Sequence, residues 1–366
     1  MENKIIFSCP WQRNKETSWS GTHRAVYNRI QNYYPIMDFD WGDNQPYTFV
    51  SKIFGKLTKK NQLLNIAKHF NKRIKKKLKG SQYDSLQFSF VPDLPNVNSF
   101  VYMDLCYPYI LQRKKTRPEV FLHSSWQKYS DSELVLLSEK TEEFFSHPNV
   151  HVLARGHWYA DWLVDSKLLP KDRVHQVGGG INVGEENVSF SNREGNKFLF
   201  VGKDFDRKNG PLVIEAFREF RKKHPDFLLY VAGPGGLAVH DEGIIFLGEV
   251  PFNELKKYFA RCDFFIMPSV FEAYGLVFPE AQSYGRPCIG RNAFEMPYFI
   301  HEGTNGYLLQ KQDKYELAQL MERVSNNTSM ITLARNNASH ILKEYSWDEV
   351  ISKIDKARQN KQSFQD

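Results

Sequence analysis

Two glutamates with chemistry to offer stand in the stretch Phe271-Glu272-Ala273-Tyr274-Gly275-Leu276-Val277-Phe278-Pro279-Glu280-Ala281. An apolar run, Asp263-Phe264-Phe265-Ile266-Met267-Pro268-Ser269, precedes them and predicts a buried strand that enters a loop. The pattern then turns helical. Pro279 fits only a first turn, where its missing N–H has no intrahelical acceptor to serve. A helix starting near Leu276 leaves the amides of Gly275, Leu276 and Val277 pointing forward, and such an end attracts phosphate. Gly275 lets a ligand come close to the backbone. Glu272 and Glu280 bracket this anion site, and carboxylates accept hydrogen bonds from hydroxyls. Phosphate held between two acids points to a nucleotide sugar. The rival reading is a surface helix start with two solvated acids.

The order Glu-Ala-Tyr-Gly-Leu-Val-Phe-Pro-Glu-Ala resembles the donor signature of the retaining GT-B glycosyltransferases of family four. The resemblance implies an α/β chain with two Rossmann-like doubly wound domains facing a central cleft. It assigns Glu280 to the ribose hydroxyls, Glu272 to the donor sugar, and the segment Tyr274, Gly275, Leu276 and Val277 to the donor phosphates. After the strand Lys197–Val201, Gly202-Lys203-Asp204-Phe205-Asp206-Arg207-Lys208-Asn209-Gly210 resembles the family's loop of two cations. Lys203 and Lys208 are thereby assigned to the diphosphate, with Arg207 as the alternative to Lys208. Positive charge is required there because the leaving nucleoside diphosphate gains negative charge as the glycosidic bond breaks. A solvated basic loop is the plainer reading. Gly248, Glu249 and Val250 fall where family members bind the nucleotide base, largely through backbone groups.

In the N-terminal half the resemblance is thinner. Gly21 and Thr22 form a turn between the first strand and helix, where the family has a glycine-bearing loop facing donor phosphates and acceptor. An ordinary tight turn reads equally well. Asp104 ends the run Ser-Phe-Val-Tyr-Met-Asp at the carboxyl edge of a strand and is the candidate for positioning the acceptor hydroxyl, or else a helix cap. The resemblance further implies retention of configuration, no cofactor and no divalent metal, with the donor's own phosphate taking the acceptor proton. Asp38-Phe39-Asp40 and Asp204-Phe205-Asp206 match a metal-binding Asp-x-Asp, which we treat as coincidence.

The 366 residues suit two ordinary domains, with 41% hydrophobic and 14% aromatic content. Cys9, Cys106, Cys262 and Cys288 form no Cys-x-x-Cys pair, which argues against zinc and disulfides and for a cytoplasmic chain. No apolar run approaches a membrane span. The net charge of +7 is uneven: residues 52–79 hold eleven Lys/Arg and no acid, leaving the rest at −4. Leu63, Ala67, Phe70, Ile74 and Leu78 recur at helical spacing within that segment.

Alternating strand and helix patterns predict parallel sheets covered on both sides. We expect an N-terminal acceptor domain over 1–183, a linker over 184–196, a nucleotide-sugar domain over 197–345, and a last helix over 346–366 crossing back to the first domain. Expected partners are a nucleotide-sugar donor, a carbohydrate or lipid-linked carbohydrate acceptor, and an anionic membrane surface meeting residues 52–79. The latter gives a peripheral location on the cytoplasmic face. The rivals are a phosphorylase or nucleotide-sugar epimerase on the same fold, and a non-enzymatic polyanion binder. Nucleic acid is disfavoured because only Phe54 and Phe70 interleave the basic residues.

Overall fold

The computed structural model describes residues 4–19, 21–58, 62–78, 83–94, 96–118, 125–183, 195–233 and 241–359. The chain divides into two compact units, one made of Met1–Phe121, Trp126–Gly180 and Trp347–Asp366, the other chiefly of Ile181–Ser346. Each is built on a six-stranded sheet.

In the first unit β1 (Lys4–Cys9) is a near-continuous apolar run, as a strand buried on both faces must be. Then come helix α1 (Thr22–Ile30), β2 (Ile36–Asp40), helices α2 (Pro46–Thr58) and α3 (Leu63–Lys77), β3 (Tyr83–Gln87), β4 (Asn98–Met103), β5 (Val150–Ala154) and β6 (Val174–Gln176). The sheet order is β2-β1-β3-β4-β5-β6, and every pairing is parallel. The apolar spacing of α3 folds Ile66, Ala67, Phe70 and Ile74 into this unit and leaves the lysines outside. Helix Asp131–Ser146 starts on a capping box, with Ser130 and Glu133 satisfying each other's amides.

The residue pattern of Leu86 to Val91 predicts a strand, but the strand found is Tyr83–Gln87 and its ladder ends at Gln87. The Gln87 side-chain amide donates to Ser89 O at 2.7 Å and Pro92 O at 3.1 Å, and Ser89 Oγ accepts from the Val91 amide at 3.2 Å. These local bonds replace ladder partners and turn the chain away.

The second unit opens with β7 (Lys197–Val201) and continues through β8 (Leu228–Ala232), β9 (Ile244–Gly248), β10 (Phe264–Ile266), β11 (Cys288–Arg291) and β12 (Gly306–Leu309). Its order is β12-β11-β10-β7-β8-β9, again all parallel. The order reverses at β7 and β10, whose carboxyl ends lead into the two loops singled out above. In open parallel sheets such a reversal is where ligands bind. Phe198, Phe200, Phe217, Phe264, Phe278 and Ile289 anchor the core beneath.

Helix Trp347–Gln359 belongs to the first unit, where Trp347, Ile351 and Ile354 join Ile5, Phe7 and Phe100 in the core. Residues 184–194 of the expected linker lie outside the described residues. No described helix is long and apolar enough to cross a membrane.

Candidate active site

The loop after β7 is folded back by its own amides. Lys208 N donates to Asp204 O at 3.0 Å, Asn209 N to Asp206 O at 2.9 Å, and Gly210 N to Phe205 O at 2.8 Å. Asn209 sits in the left-handed region (φ 63°), which asparagine tolerates better than most residues, and its side-chain Nδ2 donates to Pro268 O at 3.1 Å. Arg207 laces this loop to the one after β10. Its Nε donates to Asp204 Oδ2 at 2.7 Å, its Nη1 donates to Phe271 O at 2.8 Å, and its carbonyl accepts from Val270 N at 2.9 Å. The two loops therefore hold one shape.

Across this seam the Lys208 ammonium pairs directly with the Glu272 carboxylate. Arg207 Nη1 lies 3.8 Å from the same Oε2, and Ser269 Oγ donates to it at 3.4 Å. Burial alone pushes the Glu272 carboxyl up, but Lys208, Arg207 and Ser269 outweigh it and hold it below the usual carboxylate range. For Lys208, burial pulls the ammonium down against the opposing pull of Glu272. Asp204 and Glu272 together balance Arg207 and Lys208, so the cluster is formally neutral.

Gly275 has φ 97°, a conformation that side chains rarely adopt, and an added Cβ would stand 3.0 Å from Glu272 Cγ. The helix Val277–Ser283 begins directly after it. Among the described residues no acceptor is found for the amides of Leu276 and Val277, while Phe278 N returns to Gly275 O and Glu280 N to Leu276 O, each at 3.0 Å. Glu280, on the first turn, is only 6% exposed, and its carboxyl has neither a hydrogen bond nor an ion pair among the described residues. Burial alone pushes its pKa up to about 8. A buried carboxyl without a partner is costly, and hydroxyl donors from a ligand would relieve that cost.

The remaining donor-side candidates differ in kind. Lys203 pairs with Glu249 at 3.2 Å, both well exposed, so this cation is free to exchange partners. Gly248, at φ 67°, follows a register shift in the β8–β9 pairing, and Gly233 N donates to its carbonyl at 2.8 Å. Val250 is half-buried. Tyr274 is buried with its ring edge-on to Phe299, so its side chain serves the core.

Gly21, Thr22 and Asp104 lie in the first unit. Gly21 takes φ 83° at the start of α1, and Thr22 is buried with its hydroxyl unpartnered among the described residues. Asp104 follows β4 and meets Arg155, which follows β5, at 3.6 Å. Arg155 is itself buried, its guanidinium 4.8 Å from the Trp19 ring. Asp38 accepts from Trp11 Nε1 at 3.1 Å and pairs with Lys15 at 3.3 Å, and Asp40 accepts from the Gly42 amide at 2.7 Å. Ser269 and Arg155 escaped the sequence reading. Their signal was position alone: each lies just past the carboxyl end of a parallel strand.

Residues 185–346 match the family of glycosyl transferases group 1. An uncharacterised 41.2 kDa protein in the cps region of Klebsiella pneumoniae is 26% identical over 239 residues, spanning 61% of this chain and 60% of that protein. The match thus covers less than two thirds of that relative's length. Sucrose-phosphate synthase from Thermosynechococcus elongatus superposes with a TM-score of 0.66 at 14% identity, covering 99% of both chains. HepE from Anabaena, solved with UDP and glucose, gives 0.58 at 14% identity over 98% of this chain and all of that one. At such identity the two structures speak for the fold. The chain therefore has the two-sheet fold of the GT-B glycosyltransferases, and the match to the group 1 family falls on the second sheet's unit.

Proposed function

We propose that the protein is a retaining glycosyltransferase that moves a hexosyl-type sugar from a nucleoside-diphosphate sugar to an acceptor hydroxyl, independently of a divalent metal or other cofactor. The observation that carries this reading is the Glu280 carboxyl, buried and, among the described residues, unpartnered, one turn into a helix whose leading amides find no acceptor among those residues. Ribose hydroxyls donating to it would replace the solvation it has lost. The amides of Leu276 and Val277, with Lys203 and Lys208, hold the diphosphate, and Glu272 meets the donor sugar. Arg207 and Ser269 position Glu272. As the sugar–phosphate bond breaks, charge accumulates on the leaving diphosphate, and the fixed cations stabilise it without rearranging. A donor oxygen takes the acceptor proton, so the protein supplies no base, and Asp104 with Arg155 orients the acceptor.

The relative in a cps region supports a role in cell-surface polysaccharide or glycolipid synthesis, and the UDP-bound neighbour makes UDP the first nucleotide to try. A carbohydrate or lipid-linked acceptor and an anionic membrane surface meeting residues 52–79 complete this reading, with the chain peripheral on the cytoplasmic face. Calorimetry with UDP, GDP, dTDP and their nucleosides tests it. One diphosphate should bind far tighter than its nucleoside, and Glu280→Gln should weaken both. Product analysis in EDTA then decides the anomer and the metal question: abolition by chelation with rescue by manganese would defeat the metal-independent mechanism.

A further inference from the structure

Helix α2 is inverted relative to an ordinary surface helix. At 3.6 residues per turn Thr48, Ser51 and Gly55 share one face. That small, weakly polar face is the one turned to the protein: Thr48 is buried, its hydroxyl donating to Trp41 O at 2.9 Å, and Ser51 and Gly55 are half-buried. The opposite face carries Phe49, Val50, Ile53, Phe54 and Leu57, all exposed, Leu57 to 79%, Val50 to 63% and Phe54 to 57%. With Tyr47, six of the thirteen exposed large apolar side chains of the described chain stand on this one helix. A helix in water buries its apolar arc, and a contiguous arc left outside marks a surface that something else covers. Among the described residues the cover is partial: the Arg13 guanidinium lies 5.6 Å from the Phe49 ring, and Tyr47 stacks on His69 of α3 at 3.8 Å.

The surrounding charge says what the cover is. Beside α2, helix α3 exposes Lys68, Lys72, Arg73, Lys75, Lys76 and Lys77, and the sequence has no acid between Asp43 and Asp84. On α2 itself, Lys52 pairs with Asp43 and Lys56 edges the apolar arc. An apolar arc bordered by cations suits a surface that is hydrocarbon below and anionic above. We propose that α2 lies in the interface of an anionic bilayer, its Phe49, Val50, Ile53, Phe54 and Leu57 among the acyl chains and the α3 cations at the headgroups. This deepens the reading of residues 52–79 as a membrane-facing segment: that reading requires attraction alone, whereas α2 adds insertion.

Vesicle binding needs neither donor nor acceptor, so it is decided separately from the transfer chemistry. The full chain is mixed with phosphatidylcholine vesicles with and without phosphatidylglycerol, at low and high salt, and pelleted. Wild type should pellet with the anionic vesicles. The triple variant Ile53→Ser/Phe54→Ser/Leu57→Ser should lose about tenfold or more of that partitioning while keeping its melting temperature, because exposed side chains contribute little to folding. An environment-sensitive dye on Leu57→Cys should shift to the blue on anionic vesicles and stay shifted at salt that screens attraction. Pelleting with no dye shift and with an unaffected triple variant would overturn insertion and leave charge alone. A wild-type dimer that the triple variant abolishes, without vesicle binding, would assign the face to a second copy of the chain and equally overturn the proposal.

Discussion

Lys208 and Glu272, from loops that follow different strands, form a buried ion pair at the point where the strand order of the second sheet reverses. Sixty-four positions separate them, and the hydrogen bonds of Arg207 and Asn209 to the second loop hold them in register. A buried pair is weak as a net source of stability, but breaking it leaves an uncompensated charge. Lys208→Met should therefore destabilise the protein by about 2–3 kcal/mol, less than a fully isolated charge because Arg207 and Ser269 remain on Glu272. The double variant Lys208→Met/Glu272→Gln should recover part of that loss. Urea unfolding followed by circular dichroism measures both; a double variant less stable than either single change would mean the pair is net stabilising.

Glu280 gives the site a pH signature whose sign is fixed. Its folded pKa is raised to about 8 from 4.5, so the folded chain holds the proton more tightly than the unfolded chain. The resulting stabilisation is complete below 4.5 and disappears as pH rises through about 8. Glu280→Gln removes this dependence. Its melting temperature should match wild type near pH 5 and exceed it by several degrees near pH 9. Parallel curves across that range would contradict a buried, unpartnered carboxyl.

The same group should couple donor binding to proton release. Hydroxyl donors favour the ionised form, so a ligand that reaches Glu280 at about pH 7 expels a proton. Titrating the diphosphate in buffers of different ionisation enthalpy should show release approaching one proton in wild type and none in Glu280→Gln.

Lys203 should behave as a pure ligand cation. Its exposed pair with Glu249 contributes at most about 1 kcal/mol. Lys203→Ala is expected to leave the melting temperature unchanged and to weaken the nucleoside diphosphate roughly tenfold or more, with no effect on the nucleoside. Equal losses for both ligands would place Lys203 away from the phosphates.

Gly233 should tolerate no side chain. At φ 133°, an added Cβ would stand 2.2 Å from Gly202 O and 2.7 Å from Lys203 N, both backbone. Gly233→Ala therefore pushes on the loop that carries both lysines. We expect a loss of about 1–3 kcal/mol together with weakened diphosphate binding. A normally stable variant with normal affinity would show that the loop yields freely.

What the sequence made legible is what depends on local order. The apolar run of Lys197–Val201 and the Pro279 constraint each report on a few adjacent residues, and both correspond to elements found. What stayed hidden depends on meeting at a distance: the Arg207 bond to Phe271 O, and Arg155 beside Asp104. Helix α2 went unread for another reason. Its inward face is Thr48, Ser51 and Gly55, so it offers no apolar stripe pointing at a core.

The closing helix Trp347–Gln359 has a consequence for synthesis. It packs against Ile5, Phe7 and Val26 near the start of the chain, and joins that region through Arg29–Asp348 at 3.0 Å and Arg358–Asp84 at 2.9 Å. On the ribosome the second unit emerges complete while the first still lacks one wall. For the time taken to translate more than 160 residues, the first-made core faces solvent or a chaperone. The domain begun first is the one finished last, and its exposure during that wait is set by the speed of translation.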